Sequence, residues 1–289
     1  MINRILKGYQ IVDQIAVGSV GTVWRAINSR NQNFALKQLS EKNSQRSEKV
    51  KQFRNEALLT QKMQHPHIVR VFEYVDMPPQ PFFTMEYFPS HNLKFATWNK
   101  PDLVWRREFY ILRQLAEALA HIHSLGVIHK DLKPENVLID KKSQIRMIDF
   151  SLSKTKWQRK LQLKKIVEGT PLYMAPEQIR GEKCDPRTDI YAFGVLMYEL
   201  LTKRPPFLGT TAQHLLQKHL RETPPPMRNY VKTLSHDLDS FMQKLLAKNP
   251  DDRFPNMISI IHELSKWERK DTVIRIRQVE PPKKKSKES

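Results

Sequence analysis

Residues 129–150 read HKDLKPENVLIDKKSQIRMIDF, and this stretch decides the fold expected for the chain. Within 19 residues it places four polar side chains whose chemistry is complementary: Asp131, Lys133, Asn136 and Asp149. A carboxylate can orient a hydroxyl and accept its proton, amide and carboxylate oxygens suit a hard cation, and an amine supplies positive charge. Transfer of a phosphoryl group needs these elements at fixed distances. The stretch therefore predicts phosphoryl-transfer chemistry.

The composition is that of a globular protein with a strong positive charge. The 289 residues are 39% hydrophobic and 27% charged, which is enough for two lobes with separate apolar cores. A formal charge of +19 favours contact with nucleotides, acidic peptides, nucleic acid or anionic lipid. Residues 269–289 hold eight basic and three acidic residues, a net charge of +5, so most of the charge lies elsewhere.

Several classes of protein are disfavoured by the sequence. The apolar stretch at residues 190–199 is shorter than the roughly 20 residues of a membrane-spanning helix. Residues 1–7 lack the long apolar region of a secretory signal, so a cytoplasmic location is expected. Cys184 is the only cysteine, which excludes an intrachain disulfide and a zinc site built from several thiolates.

Periodicity predicts a β-rich first part and a helical second part. Short β-like segments alternate with polar turns at 9–15, 22–26, 34–39, 69–75 and 82–86. Between the third and fourth of them, Phe53, Ala57, Leu58 and Met63 fit one face of a helix that ends near His65-Pro66. Further helices are predicted up to Gly126 and at 189–202, 211–220, 235–247 and 256–268.

The order of the motifs resembles the eukaryotic-type (Hanks-type) protein kinase family. The resemblance rests on residues 129–150, on Ala35-Leu36-Lys37 and on Ala175-Pro176-Glu177. It implies an α+β, bilobal protein kinase-like fold, with a small β-rich N-lobe containing one main helix and a larger helical C-lobe. The implied domain covers residues 1–268, with the N-lobe at about 1–86 and the C-lobe at about 89–268. The basic tail, 269–289, is too polar to bury and is expected to be disordered.

The resemblance also implies an ATP site. Residues 16–23 would approach the phosphates through their backbone amides, although a plain hairpin turn is an equal alternative for this segment alone. Lys37 would contact the α- and β-phosphates and pair with Glu56; the alternative for each is a solvated charge. The implied ATP-binding residues are Ala16, Val17, Gly18, Ser19, Gly21, Val23, Ala35, Lys37, Glu56, Met85, Glu86 and Phe88.

The implied catalytic residues are Asp131, Lys133 and Asn136. Asp131 would orient the substrate hydroxyl, Lys133 would neutralise the γ-phosphate, and Asn136 with Asp149 would hold Mg²⁺, with Mn²⁺ as an alternative. A surface loop that contains these residues by chance is the alternative reading. Structural roles are implied for Glu177 paired with Arg253, for Asp189 behind the catalytic loop, and for His129 packed behind Phe150.

The implied substrate class is the serine and threonine hydroxyls of proteins. Lys133-Pro134-Glu135 and Gly169-Thr170-Pro171 resemble the serine/threonine branch, in which Thr170 contacts both Asp131 and Lys133. The tripeptide Pro176-Glu177-Gln178 also resembles the corresponding sequence in bacterial members of the family.

The sequence departs from the family pattern at three single positions and in one segment. Ala16 and Ser151 replace glycines, and Lys130 stands where arginine is frequent. Residues 156–168 contain no Ser, Thr or Tyr and are basic. We therefore expect activity without phosphorylation in that central segment, leaving Ser153 and Thr155 as possible acceptors. The basic run is either a solvated face or a docking site for acidic substrates.

Two other functions compete with an active kinase. A pseudokinase scaffold is favoured by Ala16 and Ser151, but the charged motif residues are all retained. A nucleic-acid-binding protein is motivated by the net charge of +19, and the basic tail offers contact with nucleic acid or an anionic membrane. Aromatic residues do not alternate with that basic run, which weakens the second alternative.

Overall fold

The computed structural model describes residues 4–155 and 169–269, and its first part is built on an antiparallel sheet. The strands are β1 Ile5–Leu6, β2 Tyr9–Val17, β3 Gly21–Ile27, β4 Asn33–Leu39, β5 Val71–Val75 and β6 Phe82–Glu86. Their spatial order is β1-β2-β3-β4-β6-β5. The pairing of β3 with β4 is regular, whereas β2 is irregular opposite β3 between Gln14 and Ala16. Five of these strands are close to the predicted ones, and β1 was not predicted.

Helix α2 covers one face of this sheet. A short helix, α1 Glu41–Ser44, precedes α2 Ser47–Gln61. Phe53 and Ala57 of α2 pack with Leu39, Val71 and Phe83 of the strands in one apolar cluster. Burial of this face stabilises the helix more than its own sequence does. The predicted main helix of the N-lobe is confirmed, but it ends at Gln61 and not near His65-Pro66, and Leu58, predicted on its apolar face, is exposed.

The second part of the chain is helical. Its helices are α3 Leu93–Asn99, α4 Glu108–Ser124, α5 Pro176–Ile179, α6 Pro186–Thr202, α7 Ala212–Arg221, α8 His236–Leu245 and α9 Met257–Arg269. Helix α6 is buried along almost its whole length and shares one core with α4, α8 and α9. The four helices predicted after residue 186 are present with shifted ends, and α3 was not predicted.

Five short strands lie within and around the stretch at residues 129–150. They are β7 His91–Asn92, β8 Val127–Ile128, β9 Val137–Ile139, β10 Ile145–Met147 and β11 Lys154–Thr155. Strand β9 pairs with β7 and β10, and β8 pairs with β11. Val69 N donates to Met147 O at 3.1 Å and Met147 N donates to His67 O at 2.8 Å, which fixes the segment before β5 to β10.

The expected α+β fold, with a β-rich N-lobe and a helical C-lobe, is confirmed. Within the described ranges, no helix combines the length and apolar character that crossing a bilayer demands. Two predictions concern residues outside the described ranges: activity without phosphorylation in the basic segment 156–168, and disorder of the tail beyond residue 269.

Candidate active site

A cavity of about 540 Å³ lies between the sheet of the N-lobe and the short strands of the C-lobe. It is large enough for a nucleotide-sized ligand. Most of its wall is contributed by three segments: strands β2 to β4, the connection after β6, and the ends of β9 and β10. The lining residues that the sequence predicted are Ala16, Val23, Ala35, Lys37, Glu56, Met85, Glu86, Phe88, Asn136 and Asp149.

Lys37 and Glu56 form a buried ion pair inside this cavity. Strand β4 carries Lys37 and helix α2 carries Glu56, and Lys37 Nζ lies 2.6 Å from Glu56 Oε1. Burial alone would lower the pKa of Lys37, but the negative charges of Glu56 and Asp149 outweigh it and raise that pKa. Lys37 is therefore cationic. The predicted pairing is present.

Asp149 lies at the inner end of the cavity in a sharp turn of the backbone. Its φ of +64° is in the left-handed region, and its Oδ1 accepts a hydrogen bond from Ser151 N at 3.2 Å. Burial opposes ionisation, yet the nearby Lys37 and the hydrogen bonds from Ser151 lower the pKa of Asp149. The next residue, Phe150, is buried with its ring centroid 5.0 Å from that of His129. His129 thus has the expected packing role.

Asp131 is held by a network of donors. Its Oδ1 accepts hydrogen bonds from Thr170 N at 2.9 Å and Thr170 Oγ1 at 2.8 Å. Lys133 Nζ donates to Asp131 Oδ2 at 2.7 Å and to Thr170 Oγ1 at 2.9 Å. Asn136 Nδ2 donates to the carbonyl oxygen of Asp131 at 2.9 Å. The contacts expected of Thr170 are present, and one rotamer of Asp131 is fixed.

The backbone before Asp131 is fixed by Asp189 near the start of helix α6. The fully buried carboxylate of Asp189 accepts hydrogen bonds from His129 N at 2.8 Å and from Lys130 N at 2.9 Å. His123 Nε2 lies 2.8 Å from Asp189 Oδ2. Burial alone would raise the pKa of this carboxyl. The hydrogen bond and charge of His123, with the backbone donors, outweigh that effect and lower the pKa, so Asp189 is ionised. The expected bracing by Asp189 is present.

Glu177 and Arg253 form a second buried ion pair. Arg253 Nη1 and Nη2 lie 2.8 and 2.9 Å from the two carboxylate oxygens of Glu177, which is the bidentate geometry of strong pairs. Thr188 Oγ1 also donates to Glu177 at 2.8 Å. The pair joins the beginning of α5 to the segment before α9, as the sequence predicted.

The end of β6 and the connection that follows it form one wall of the cavity. Met85, Glu86 and Phe88 all line it. The carboxylate of Glu86 turns away to a bidentate ion pair with Arg146 of β10, at 3.0 to 3.1 Å. The guanidinium of Arg146 also lies 4.6 Å from the centroid of the Phe88 ring. The carboxylate of Glu86 is therefore neutralised within the protein by Arg146.

The hairpin between β2 and β3 is closed by a hydrogen bond from Gly18 N to Gly21 O at 2.9 Å. Ala16 and Val23 line the cavity. Four other residues predicted to bind ATP are not on its wall: Val17, Gly18, Ser19 and Gly21. Gly21 has a packing role, since a Cβ there would lie 1.9 Å from the carbonyl oxygen of Gln38. Contact of these four residues with phosphate stays a prediction.

The donor set around Asp149 fits a magnesium ion that is shared with phosphates. Asn136 uses its amide nitrogen for Asp131, which leaves the amide oxygen, and Asp149 supplies an ionised carboxylate. Within the described residues there is no cluster of three or more His, Cys, Asp or Glu side chains that could hold a metal. One or two protein oxygens with the remaining positions left to phosphate and water is the usual arrangement for Mg²⁺.

Several residues that shape the site were not identified from the sequence. Arg146 pairs with Glu86, and His123 contacts Asp189. Glu199 of α6 accepts hydrogen bonds from Lys94 of α3 and from Tyr173. An N-cap signal at Asn92, whose side chain accepts from Phe95 N, could have revealed helix α3. The long-range pairs have no local signal in the sequence.

Comparisons with known proteins agree with this geometry. The family model described as protein kinase domain matches residues 9–264. A probable serine/threonine-protein kinase of Streptomyces coelicolor is 30% identical over 258 residues, covering 87% of this chain and 38% of the relative. The serine/threonine-protein kinase PknB of Mycolicibacterium smegmatis is 35% identical over 209 residues, covering 70% of this chain and 33% of the relative.

A third relative has the same character. A probable serine/threonine-protein kinase of Clostridium acetobutylicum is 28% identical over 267 residues, 92% of this chain. The chain spans 33 to 41% of the length of these three curated relatives. Members of this family use ATP and a divalent metal ion and act on proteins. On the match over residues 9–264 and the similarity to bacterial serine/threonine kinases, the chain belongs to the protein kinase family.

Proposed function

We propose that this chain is an ATP-dependent protein kinase that phosphorylates serine and threonine. The observation that carries the proposal is the cluster of Asp131, Lys133 and Thr170 beside a nucleotide-sized cavity, which also contains Lys37 and Asp149. Each group needed for phosphoryl transfer has a counterpart in this arrangement. The charged residues are held by specific partners, which supports catalysis over a scaffold role.

The adenine base would bind between the two lobes, against Met85, Glu86 and Phe88. Ala16, Val23 and Ala35 would cover it from the sheet, as their position on the cavity wall allows. Lys37, kept cationic by Glu56 and Asp149, would bind the α- and β-phosphates. The backbone of residues 17–21 would approach the phosphates from the hairpin.

Asp131 would act as the catalytic base. Its carboxylate would orient the serine or threonine hydroxyl and accept its proton while the oxygen bonds to the γ-phosphorus. The bond from that phosphorus to the β-phosphate oxygen breaks in the same step, and ADP leaves. Lys133, 2.7 Å from Asp131, would offset the negative charge on the transferred group.

Asn136 and Asp149 would hold Mg²⁺, with Mn²⁺ as an alternative. The ion supplies charge neutralisation to the phosphates when it is bound. The lowered pKa of Asp149 keeps this ligand ionised near neutral pH. Asn136 would be oriented for the same task by its hydrogen bond to Asp131.

The preference for serine and threonine is supported by Thr170, which contacts both Asp131 and Lys133 as expected for this branch. The printed names of the bacterial relatives support the same branch. Acidic protein substrates and a cytoplasmic location stay predictions of the charge and of the sequence. So do contacts of the tail with nucleic acid or anionic membrane.

The test is γ-phosphate transfer from ATP to a generic protein substrate in Mg²⁺, measured for the wild-type chain and for Asp131→Asn. The wild type should form phosphoserine or phosphothreonine. The variant should lose about 10²- to 10⁴-fold in kcat, since a positioned base contributes that much. Nucleotide binding should be retained, because Asp131 lies outside the cavity wall.

Three outcomes would contradict the proposal. Equal transfer by the two proteins would remove the role of Asp131. Absence of transfer in both, with ATP still bound, would favour a scaffold. Duplex DNA binding that persists at high salt, without transfer, would favour the nucleic-acid alternative, since simple charge attraction weakens steeply with salt.

A further inference from the structure

The side chain of Gln52 connects helix α2 to the turn that follows Phe150. Gln52 Nε2 donates to the carbonyl oxygen of Ser151 at 3.1 Å, although the two residues are 99 positions apart. Helix α2 carries Glu56, and the turn carries Asp149. One hydrogen bond therefore links the two elements that supply charged groups to the cavity.

The two neighbours of the Gln52 amide determine its orientation. Lys49 Nζ donates to Gln52 Oε1 at 3.2 Å on one side, and the Ser151 carbonyl accepts from Nε2 on the other. An ammonium group can only donate and a carbonyl can only accept, so one orientation of the amide satisfies both. The contact with Ser151 is thus chemically specific.

Each partner in this hydrogen bond is connected directly to a residue that lines the cavity. Gln52 and Glu56 are four residues apart and lie on the same face of α2, so the helix transmits a shift of one to the other. Glu56 is buried and holds Lys37 at 2.6 Å. At the other end, Ser151 N donates to Asp149 Oδ1 at 3.2 Å.

The first part of α2 is weakly anchored by other means. Its N-cap residue, Arg46, makes no side-chain hydrogen bond to the helix. The buried residues of α2 begin at Phe53, after the first turn and a half. Before Phe53, Val50 is partly buried against the same apolar cluster. A helix end with no side-chain cap and little apolar burial frays or shifts unless a tertiary contact holds it. Gln52 provides such a contact at the boundary between the two parts.

We propose that Gln52 is a positioning residue that holds α2 against the Asp149–Ser151 turn, so that Lys37, Glu56 and Asp149 are arranged for a triphosphate. This inference rests on the proposed kinase function and concerns its control. Residues 156–168 contain no Ser, Thr or Tyr, so no phosphate on that segment can hold the helix. In this chain, a neutral hydrogen bond from α2 fixes the helix.

The test compares Gln52→Ala and Gln52→Glu with the matched control Gln61→Ala. Gln61 also lies on α2 and also donates from Nε2 to a backbone carbonyl, that of Phe72 at 2.7 Å, but its acceptor lies on β5 and not in the Asp149–Ser151 turn. Gln52→Glu keeps the length of the side chain and its contact with Lys49, and replaces the donor to Ser151 with a negatively charged oxygen. The readouts are the affinities for a non-hydrolysable ATP analogue with Mg²⁺ and for adenosine, together with the Tm.

Both Gln52 variants should bind the ATP analogue about five- to tenfold more weakly than the wild type, which corresponds to the loss of one hydrogen bond. Their affinity for adenosine should equal that of the wild type. Gln61→Ala should retain wild-type affinity for both ligands. In a Glu56→Gln background, Gln52→Ala should add little further loss, because Gln52 acts through Glu56. If Gln52 only stabilised the fold, Gln52→Ala would weaken the binding of both ligands alike, and its effect would add to that of Glu56→Gln.

Other results would overturn the inference. Unchanged affinity for the ATP analogue in both Gln52 variants, or an equal loss in Gln61→Ala, would show that the contact has no positioning role. If the wild type binds the ATP analogue and transfers phosphate, and the Gln52 variants bind the analogue equally well, only this inference fails and the proposed function stands. A wild-type chain that binds neither ligand removes the proposed function, and this inference with it.

Discussion

At the scale of single residues, the site depends on how completely Asp131 is constrained. Both of its carboxylate oxygens accept hydrogen bonds, from Thr170 on one side and from Lys133 on the other. A carboxylate held in this way keeps one orientation before a substrate arrives, which lowers the cost of aligning the hydroxyl. Thr170 is central here because its hydroxyl contacts Asp131 and Lys133 together.

Replacing Thr170 with valine should reduce kcat by about 10- to 100-fold. Valine has nearly the same shape but lacks the hydroxyl, so hydrogen bonds to two charged groups are lost. The KM for ATP should change little, since Thr170 is not on the cavity wall. Steady-state kinetics of Thr170→Val and of Thr170→Ser, which retains the hydroxyl, measure this. Equal kcat for valine and the wild type would contradict it.

The motif residues of the site were predictable, and most of their partners were not. Short motifs identified Lys37, Asp131 and Asn136 because fixed chemistry requires fixed residue types at a fixed spacing. The pair between Arg146 and Glu86 spans 60 positions. Nothing local in the sequence distinguishes Arg146 from a solvated surface arginine, and only the fold brings it to Glu86.

At the scale of elements, the long helices and the main strands followed from periodicity. Helix α4 has a continuous apolar face, so its position was clear from the sequence. Helix α3 has seven residues and β1 has two, which is too short for a pattern to repeat. The Asn92 cap was the available signal for α3.

The hairpin between β2 and β3 gives a direct test at this scale. Gly21→Ala should destabilise the protein by about 2–3 kcal/mol, because the added Cβ would lie 1.9 Å from the carbonyl oxygen of Gln38 and backbone cannot move aside cheaply. Gly18→Ala is the control, with 3.8 Å to the nearest atom. Urea unfolding of both variants measures the difference. Equal free energies of unfolding would show that the strands are not packed as described.

At the scale of the whole molecule, buried neutral histidines make stability depend on pH. His219 is fully buried against Phe207, and its Nδ1 lies 3.0 Å from the hydroxyl of Tyr191. Burial, with Lys248 nearby, lowers the pKa of His219 from 6.5 to about 4. His65 stacks on His121, and burial together with the neighbouring histidines lowers its pKa to about 4 as well.

Stability should therefore fall as the pH drops from 6.5 towards 4. In this range the unfolded chain binds protons that the folded histidines exclude, so acid favours unfolding. At pH 5 the fully buried His219, with a pKa of about 4, should cost about 2 kcal/mol relative to pH 7. His65 is only partly buried and should cost less, because solvent screens its charge. Urea unfolding at several pH values, for the wild type and His219→Gln, measures this. A variant as pH-sensitive as the wild type would contradict the assignment for His219.

The central claim concerns both lobes together: Lys37 of the N-lobe and Asn136 and Asp149 of the C-lobe act on one nucleotide and its metal ion. Calorimetric titration with a non-hydrolysable ATP analogue, with and without Mg²⁺, tests it in the wild type and in Asp149→Asn. We expect Mg²⁺ to tighten binding to the wild type by about tenfold or more, and this gain to disappear in Asp149→Asn, which loses the ionised ligand. The same gain from Mg²⁺ in both proteins, or none in the wild type, would contradict the account.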